Sequence, residues 1–538
     1  MIKKIKFHDF RMFQGEHTID LKPITIFIGP NNSGKSTLIR LIENLIKMPS
    51  NESRNSSKYF VDPYSGISKT YENIGTYLTK FQESMPEEFG NYYAREFIID
   101  NLNIKGDSAL GAPSSFQFCY KECVIATFDN MSWNSEIGVN KLGLEKADPH
   151  AKSENYYEFN IHFDNIYSSQ AKLFKEDDKE TEEFKSNLKF IIDCGWSKNL
   201  IETYYSLHGK QLPIFEASNK NKNDLNLIIY TEQNRYLLRD SYYSCFSSYL
   251  NDTLLLIQTN QRIPQKYKQA LSFVLKFVFE KYILLPLQQL KEIQENIMSF
   301  SAYRGMFFDD KDSQASLAFK ELIKKFSFYL TTKHKRKKGV YSFGEVFYED
   351  EISLLKKWLK NFEIGEGLTM DYKQFEIFKV IIEKGLERYP VELGFGNQQL
   401  LPLILGMFSN PCGIFFIEEP ESHLHPYMQS KLGDFFTDML NYKIGWMKGE
   451  KPQLIIETHS EYLIRRLQYL VANRSIGSED VAIYYINKAD RIPAEARQIQ
   501  KMEILKDGSL GNDFGPGFFD EAINLKLELL KLKNPKKK

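Results

Sequence analysis

A glycine-rich loop between an apolar run and a helical pattern constrains this chain more than any other feature. Residues 29–37 read GPNNSGKST and satisfy the pattern G-x-x-x-x-G-K-[ST]. The run ITIFIGP at residues 24–30 predicts a strand before the loop, and apolar residues at helical spacing predict a helix after it: Leu38, Leu41, Ile42 and Leu45. This placement predicts a phosphate-binding loop, and the alternative is a plain glycine-rich turn at a helix start.

The chemistry of the loop follows from its backbone and two side chains. Gly29 and Gly34 let the chain curl, so that backbone N–H groups and a helix N-terminus face a phosphate chain. Lys35 places a charge at the β- and γ-phosphates, and the Ser36 hydroxyl is placed to bind Mg²⁺. We therefore predict ATP and Mg²⁺ as cofactors, with these residues as the nucleotide-binding loop: Gly29, Asn31, Asn32, Ser33, Gly34, Lys35, Ser36 and Thr37.

A second chemical element, GIFFIEEPESHLHP, lies at residues 413–426. Its apolar strand brings Glu418 and Glu419 to the carboxyl end, which is the edge where open sheets bind ligands. We interpret Glu418 as a Mg²⁺ ligand and Glu419 as the base that polarises the attacking water. His423 and His425 lack a further ligand at a fitting spacing, so they predict a cap or a shaped loop and not a metal site.

A third element, QLIIETHSEYLIRR, brings another apolar strand to a turn at residues 453–466. There His459 precedes Ser460, and an imidazole at a sheet edge can reach a γ-phosphate. A strand-end histidine taken alone is typical of a structural residue. Its position after the two glutamates favours chemistry, so the predicted catalytic residues are Lys35, Glu419 and His459.

The order of predicted elements splits one domain across the chain. From residue 411 onward, apolar strands alternate with helices, which is the pattern of a parallel sheet covered on both faces. Strands are also predicted before the loop, over residues 2–7, 16–21 and 24–30. We predict an α/β fold in which residues 1–48 and 390–538 form the head and residues 49–389 form an insertion, mixed but mainly helical.

The insertion carries no motif that we connect with a reaction. It contains a strand-like run at residues 156–167 and a helical run at 267–285, without the sustained heptads of a coiled-coil arm. The charge runs DDKETEE at residues 177–183 and KHKRKK at 333–338 are typical of solvated loops, with phosphate contact as the alternative for the second. We expect the insertion to be globular and to offer a surface to a partner or to DNA.

Composition excludes several classes of protein. Lys+Arg and Asp+Glu both number 70, so no global charge attracts nucleic acid or a membrane surface. Five cysteines are too sparse for a disulfide framework, and Cys119 and Cys123 lack the second ligand pair of a zinc site. No apolar stretch approaches the ~18 residues of a membrane span. We expect a cytoplasmic protein that has no membrane partner.

The series GPNNSGKST, GFGNQQLLP, FFIEEPESHLHP and ETHSEYLIRRL resembles the ABC-type ATPases of the SMC-like and OLD-like kind. The resemblance implies an ABC-type P-loop ATPase head that is split by an insertion and pairs head to head around two ATP molecules. It implies Mg²⁺ at Ser36 and Glu418, a general base at Glu419, a switch histidine at His459, and a loop at residues 421–425 that crosses the interface. A transporter subunit fits less well, because the insertion is too long.

The signature loop, GFGNQQLLP at residues 394–402, departs from the pattern of the relatives. Gln398 stands where they carry a serine, whereas Gly394 and Gly396 match. The resemblance implies that Gly396 and Gln398 approach the nucleotide of the partner head, and that the longer amide alters closure or turnover. Arg11 matches a basic position near the nucleotide in some relatives.

Two further stretches, SAYRG at residues 301–305 and the tail after residue 502, resemble ATPases of Septu-type and retron-associated antiphage systems. We expect an ATP-hydrolysing sensor or regulator that forms a homodimer or higher oligomer and controls a separate nuclease or toxin. The stretch after His459 is shorter than the Toprim nuclease domain of OLD-type relatives, so no nuclease is expected here. The alternative is an SMC-like DNA-repair or chromosome-maintenance ATPase that binds DNA or another nucleic acid directly.

Overall fold

The computed structural model describes much of the chain, in two compact units. The described residues are 1–10, 12–47, 95–99, 102–106, 115–120, 123–132, 155–162, 179–193, 201–207, 210–218, 224–231, 242–259, 261, 263–302, 349–370, 378–382, 385–442, 451–488, 497–511 and 521–533. The first unit holds described residues of the ranges 1–19 and 45–294, and the second holds Asp20–Asn44 with the described part of Glu295–Lys538.

The secondary structure of both units, in chain order, begins with β1 (Ile2–Phe10), β2 (Phe13–Asp20), β3 (Ile24–Ile28), α1 (Lys35–Lys47), β4 (Arg95–Ile99), β5 (Leu102–Gly106), β6 (Ser115–Tyr120), β7 (Cys123–Ser132), β8 (Asn155–His162), α2 (Lys179–Asp193), β9 (Ile201–Leu207), β10 (Lys210–Ser218), β11 (Asp224–Thr231), α3 (Tyr242–Thr259), α4 (Gln265–Val278), a π-helical turn (Phe279–Leu284) and α5 (Leu285–Glu295). It continues with β12 (Ile297–Phe300), α6 (Glu349–Asn361), β13 (Gly367–Met370), β14 (Phe378–Ile381), β15 (Glu387–Arg388), α7 (Phe395–Ser409), β16 (Ile414–Glu418), α8 (Pro426–Asn441), β17 (Gln453–Glu457), α9 (Glu461–Ala472), β18 (Val481–Ile486), β19 (Ile499–Met502) and α10 (Glu521–Lys533), with 3₁₀ turns at Pro390–Glu392 and Ser478–Asp480.

The first unit is built on a ten-stranded sheet in the order β2-β1-β4-β5-β6-β7-β8-β11-β10-β9. Strands β4 to β11 pair with antiparallel neighbours throughout. Helix α3 packs on this sheet, because the Phe246 ring contacts Phe118 of β6 and Phe128 of β7. The insertion expected to be mainly helical therefore also contributes eight strands to one large sheet.

Helix α2 shows where one charge run lies. Residues 179–183 of DDKETEE form the first turn of this helix, so the expectation of a loop is wrong for them. Acidic side chains are favoured at a helix N-terminus, where they face the positive end of the macrodipole. Glu182 and Glu183 are exposed, as the charge run predicted. KHKRKK lies outside the described residues, and so does all of SAYRG after Ala302.

The second unit contains the phosphate-binding loop on a six-stranded sheet in the order β12-β16-β17-β3-β18-β19. All neighbours are parallel except β18 and β19. Strands β3, β17 and β18 are buried along their whole length, as expected for parallel strands covered on both faces. The predicted α/β fold, a P-loop ATPase head with a long insertion, is confirmed.

The composition of this sheet differs in detail from the expected split. Strand β12 comes from Ile297–Phe300, inside the range 49–389 that we assigned to the insertion. Strands β1 and β2, which precede the loop, pair within the ten-stranded sheet and not with β3. The head is thus assembled from β3, from β12 and from the C-terminal strands β16 to β19.

Aromatic side chains hold the helices of the second unit together. Phe435 of α8 contacts the rings of Trp358 and Phe362 at the end of α6. The Trp358 indole N–H donates to Asp438 at 3.1 Å, which satisfies the one polar group of this buried ring. In the part of the chain that is described, no helix is both long and apolar enough to cross a membrane.

Candidate functional site

The glycine-rich loop follows β3 directly and leads into α1. Gly29 and Gly34 have φ values of +149° and +98°, which L side chains rarely adopt. A Cβ on Gly29 would also collide with the carbonyl oxygen of Ile486 in β18. The N–H of Leu38 then donates to the Gly34 oxygen at 2.9 Å and begins the helix. Both glycines are therefore required by the shape of the loop.

Lys35 lies inside this loop and is only 4% exposed. Its Nζ donates to the backbone oxygens of Gly29, at 3.1 Å, and Pro30, at 2.9 Å. Burial lowers the pKa of Lys35, whereas the nearby carboxylates of Glu457, Glu419 and Glu421 raise it. A positive charge is thus held at the centre of a cradle of backbone groups, which is the arrangement that binds phosphate.

Ser36 contacts an acid that the sequence analysis did not single out. Its hydroxyl donates to Oε1 of Glu457 at 2.9 Å, and the same oxygen lies 4.0 Å from Lys35 Nζ. Glu457 ends β17 and stands opposite Glu418, the end of β16, in the parallel register. Burial raises the pKa of Glu457, and Ser36 and Lys35 oppose that shift. The signal for this residue was the acid at the end of the apolar strand in IIETHS.

Glu418 is a half-buried carboxyl with a cationic side chain nearby. Its Oε1 lies 3.8 Å from Nε of Arg40 in α1. Burial and, to a smaller extent, the charges of Glu457, Glu43 and Glu419 raise the pKa of Glu418 to about 7, although Arg40 opposes this shift. Acids crowded in this way favour a nearby cation.

The residues present fit Mg²⁺ that is bound together with a nucleotide. A buried oxygen of Glu457 has no hydrogen-bond partner within the described ranges, and the other oxygen of the same carboxylate accepts from Ser36. Across those ranges, no three His, Cys, Asp or Glu side chains form a metal site by themselves. Mg²⁺ usually takes one or two protein ligands with phosphate oxygens and waters. Ser36 and Glu418 would be those ligands.

Glu419 leaves β16 in an unusual conformation. Its φ is +42°, and its N–H donates to the Glu457 carbonyl oxygen at 2.8 Å. The Ser422 hydroxyl donates to Oε2 of Glu419 at 2.9 Å. Left-handed backbone at a non-glycine residue costs about 1 kcal/mol or more and is common at functional sites. The turn places the Glu419 carboxylate beyond the strand end.

His459 is fixed by the loop that follows Glu419. The backbone N–H of His459 donates to Oε1 of Glu421 at 2.6 Å. Partial burial lowers the pKa of the His459 imidazole, Lys35 lowers it further, and Glu419 opposes the shift. Ser460 then caps α9, because its hydroxyl accepts from the N–H of Leu463 at 3.1 Å. Burial and Lys35 therefore favour the neutral form of the ring at the edge of the sheet.

The signature loop begins α7. The side-chain amide of Gln398 donates to the Leu393 oxygen at 2.8 Å, and a Cβ on Gly396 would lie 2.8 Å from the His423 oxygen. The rings of Phe395 and His423 meet edge to face at 4.6 Å between centroids. Gly396 is thus packed against the 421–425 loop, and its approach to a nucleotide in a second head stays a prediction.

Four other residues of the sequence analysis have simpler outcomes. The His425 ring caps α8 by accepting from the Tyr427 N–H at 3.3 Å, so the expected cap is confirmed. Asn31 and Asn32 are exposed at the tip of the loop. Arg11 lies outside the described residues, and its role stays a prediction.

The motifs and their geometry agree with a comparison against protein families. The family model described as AAA ATPase domain matches residues 1–464. The chain belongs to this AAA ATPase domain family. A search of curated proteins finds no match.

Solved structures include several chains of similar fold, all at low identity. One is the Smc head bound to the C-winged helix domain of ScpA, with 9% identity, TM-score 0.33 and coverage of 94% of this chain and 98% of that chain. The Smc head with an extended coiled coil bound to the C-terminal domain of ScpA, from Pyrococcus furiosus, has 9% identity, TM-score 0.31 and coverage of 98% and 99%. The SMC head domain from Thermotoga maritima has 9% identity, TM-score 0.28 and coverage of 94% and 99%.

Proposed function

We propose that this chain binds ATP with Mg²⁺ at residues 29–37 and hydrolyses it. The observation that carries this function is the arrangement around Ser36, whose hydroxyl contacts Glu457 beside Glu418. The phosphate cradle and two strand-end acids thus meet at the carboxyl ends of parallel strands, where open α/β sheets bind ligands. Mg²⁺ bound there would neutralise phosphate charge.

Each residue of the site has a distinct role in this function. Lys35 contacts the β- and γ-phosphates, and Ser36 and Glu418 hold Mg²⁺. Glu419 accepts a proton from the attacking water, and the neutral imidazole of His459 contacts the γ-phosphate. The Ser422 hydroxyl donates to Glu419 and orients its carboxylate, and the Glu421 carboxylate accepts from the backbone N–H of His459 and holds the turn that carries the imidazole.

Two copies of the chain pair head to head around two nucleotides. Gly396 and Gln398 of one head face the phosphates held by Lys35 of the other. Phe395 is 46% exposed although it packs on His423, so one exposed face carries both the signature loop and the 421–425 loop. The resemblance to ABC-type ATPases supports this pairing.

The biological role that we propose is a cytoplasmic sensor or regulator of an antiphage system. ATP-driven closure of the heads shifts a partner surface and controls a separate nuclease or toxin. Its support is the resemblance of the tail, whose residues 502–510 read MEILKDGSL, to Septu-type and retron-associated ATPases. Direct DNA binding in repair or chromosome maintenance is the competing role.

The test of the activity is ATP turnover by the purified chain with and without Mg²⁺. We expect Mg²⁺-dependent release of phosphate by the wild type and a rate lowered by about 10²-fold or more in Glu419→Gln, because an amide is a poor base. Glu528→Gln removes the same charge from an exposed acid on α10 and serves as the matched control. No turnover by the wild type, or equal turnover by both variants, would contradict the assignment.

The two biological roles are separated by a gel shift with duplex DNA, with and without ATP. The antiphage regulator predicts no ATP-dependent shift by the chain alone, together with co-purification of an effector from the native host. A shift that requires ATP and persists with competitor DNA would favour the repair or maintenance role.

A further inference from the structure

We infer that Glu457 is a positioning residue for Mg²⁺ at the proposed nucleotide site. Its carboxylate orients the Ser36 hydroxyl, and its charge helps to retain the cation. This inference rests on the proposed function and adds to Ser36 and Glu418 an acid from a different strand. It predicts that the charge of Glu457 matters when Mg²⁺ is present and not when Mg²⁺ is removed.

The position of Glu457 is fixed by the centre of the sheet. It ends β17, with β16 on one side and β3 on the other. In the two registers its partners are Glu418 and Phe27, the latter just before the phosphate-binding loop. Its carbonyl oxygen accepts from the N–H of Glu419. The backbone of Glu457 therefore has little freedom, and its side chain lies beside the phosphate-binding loop.

The side chain then contacts both functional residues of the loop. Oε1 accepts from the Ser36 hydroxyl at 2.9 Å and lies 4.0 Å from Lys35 Nζ. A serine hydroxyl has one proton and two lone pairs. Because the Ser36 hydroxyl uses its proton in the hydrogen bond to Glu457, the lone pairs of its oxygen can face a cation.

The second carboxylate oxygen of Glu457, Oε2, indicates that the charge of this residue has a role. The residue is 4% exposed, and Oε2 is buried without a hydrogen-bond partner in the part of the chain that is described. A purely structural acceptor for Ser36 needs only one neutral oxygen, which an amide supplies. A buried carboxylate with a second unsatisfied oxygen is costly unless a positive charge compensates it.

Nearby cations do not replace Mg²⁺ in this argument. Lys35 is 4.0 Å from Glu457 and Arg40 is 3.8 Å from Glu418, both longer than a direct hydrogen bond. Lys35 Nζ also donates to two backbone oxygens of the loop. A divalent cation beside Ser36 compensates both strand-end acids at once, and its electrostatic interaction with each is stronger than that of a single charge.

The experiment measures affinity for a non-hydrolysable ATP analogue by calorimetry, with excess Mg²⁺ and with excess EDTA. The variant Glu457→Gln keeps an oxygen for the Ser36 hydroxyl and loses the charge. We expect its affinity in Mg²⁺ to fall by about tenfold, with the half-saturating Mg²⁺ concentration raised to match. In EDTA we expect unchanged or tighter binding, because a negative charge near the phosphates is gone.

Three further variants separate charge from structure. Glu457→Asp keeps the charge and should retain the preference for Mg²⁺, even if Glu457→Gln is poorly folded. Ser36→Ala combined with Glu457→Gln should weaken Mg²⁺-dependent binding by less than the two single effects multiplied, because both act on one cation. Glu528→Gln, at an exposed acid on α10, should behave as the wild type in both buffers.

Each result has one meaning. An equal loss of affinity in Mg²⁺ and EDTA, or no change in Mg²⁺, overturns the role of Glu457 while the wild type still binds the analogue. Absence of binding by the wild type in either buffer overturns the nucleotide site itself, and the inference with it. A loss of affinity in Mg²⁺ without a loss in EDTA, seen in Glu457→Gln and not in Glu457→Asp, is the result we predict.

Discussion

The backbone N–H of His459 donates a 2.6 Å hydrogen bond to the buried carboxylate of Glu421. This bond joins the turn after β17 to the loop after β16. It places the candidate switch histidine under the control of residues 421–425, which the resemblance assigns to the interface between heads. A change at that interface can therefore reach His459 through one side chain.

Truncation of Glu421 tests this connection. Glu421→Ala leaves the His459 N–H without its acceptor and removes a buried side chain, so the free energy of unfolding should fall by about 2 kcal/mol or more. ATP turnover should fall as well, because the His459 turn is released. Thermal unfolding and turnover are the measurements, and Glu461→Ala on α9 is the control. Full turnover by Glu421→Ala would show that His459 does not depend on this bond.

The raised pKa of Glu418 predicts a pH dependence of stability in EDTA. The pKa of Glu418 in the folded state is about 7 and lies above the ordinary value of 4.5 for a glutamate. A raised pKa means that the folded state binds the proton more tightly than the unfolded state. The stability from this group is therefore complete below pH 4.5 and is lost as the pH rises through about 7.

The measurement compares chemical unfolding of the wild type and Glu418→Gln at pH 5 and pH 8. Relative to the variant, which does not titrate there, the wild type should lose on the order of 3 kcal/mol at the higher pH. Parallel pH profiles for the two proteins would show that burial of Glu418 has little energetic consequence.

The sequence predicts the residues of the candidate site but not the contacts between them. Lys35, Ser36, Glu418, Glu419 and His459 were predicted because each motif is local and joins an apolar strand to a turn. Their neighbours depend on which strands pair. The contact of Ser36 with Glu457 and the contact of Arg40 with Glu418 follow from the register of distant strands and the position of α1, which no local pattern contains.

The fold shows the same division. The parallel strands of the head were predicted because buried strands read as continuous apolar runs, such as Ile24–Ile28. The ten-stranded sheet was not predicted, because its short strands come from distant parts of the chain and pair with partners that periodicity cannot name. Periodicity also could not show that β12 belongs to the sheet of the head.

Closure of two heads is tested with the hydrolysis-deficient variant. Glu419→Gln keeps ATP bound and should shift from monomer to dimer in size-exclusion chromatography when Mg²⁺ and ATP are added. Adding Gln398→Ala should reverse that shift, since its amide is proposed to face the partner's nucleotide. The affinity for nucleotide should change little in the monomer. A dimer that forms equally with and without Gln398 would exclude the amide from the interface.

The chain alone should show no nuclease activity. The side chains that we connect with a reaction all belong to the candidate nucleotide site. We assign the nuclease or toxin activity to a separate effector. The test is incubation of plasmid and phage DNA with Mg²⁺ or Mn²⁺ and ATP, alongside Lys35→Ala. DNA cleavage that survives repeated purification of the wild type would place the effector activity in this chain.

Equilibrium binding of Mg²⁺-ATP to the wild type and to Lys35→Ala tests the central claim most directly. Within the described residues, the hydrogen bonds of Lys35 Nζ go to backbone oxygens of the loop. Removal of this side chain should therefore leave the circular dichroism spectrum unchanged. We predict saturable binding by the wild type and a loss of about 100-fold or more in Lys35→Ala. Equal affinity of the two folded proteins would contradict the assignment of residues 29–37 as a nucleotide-binding loop.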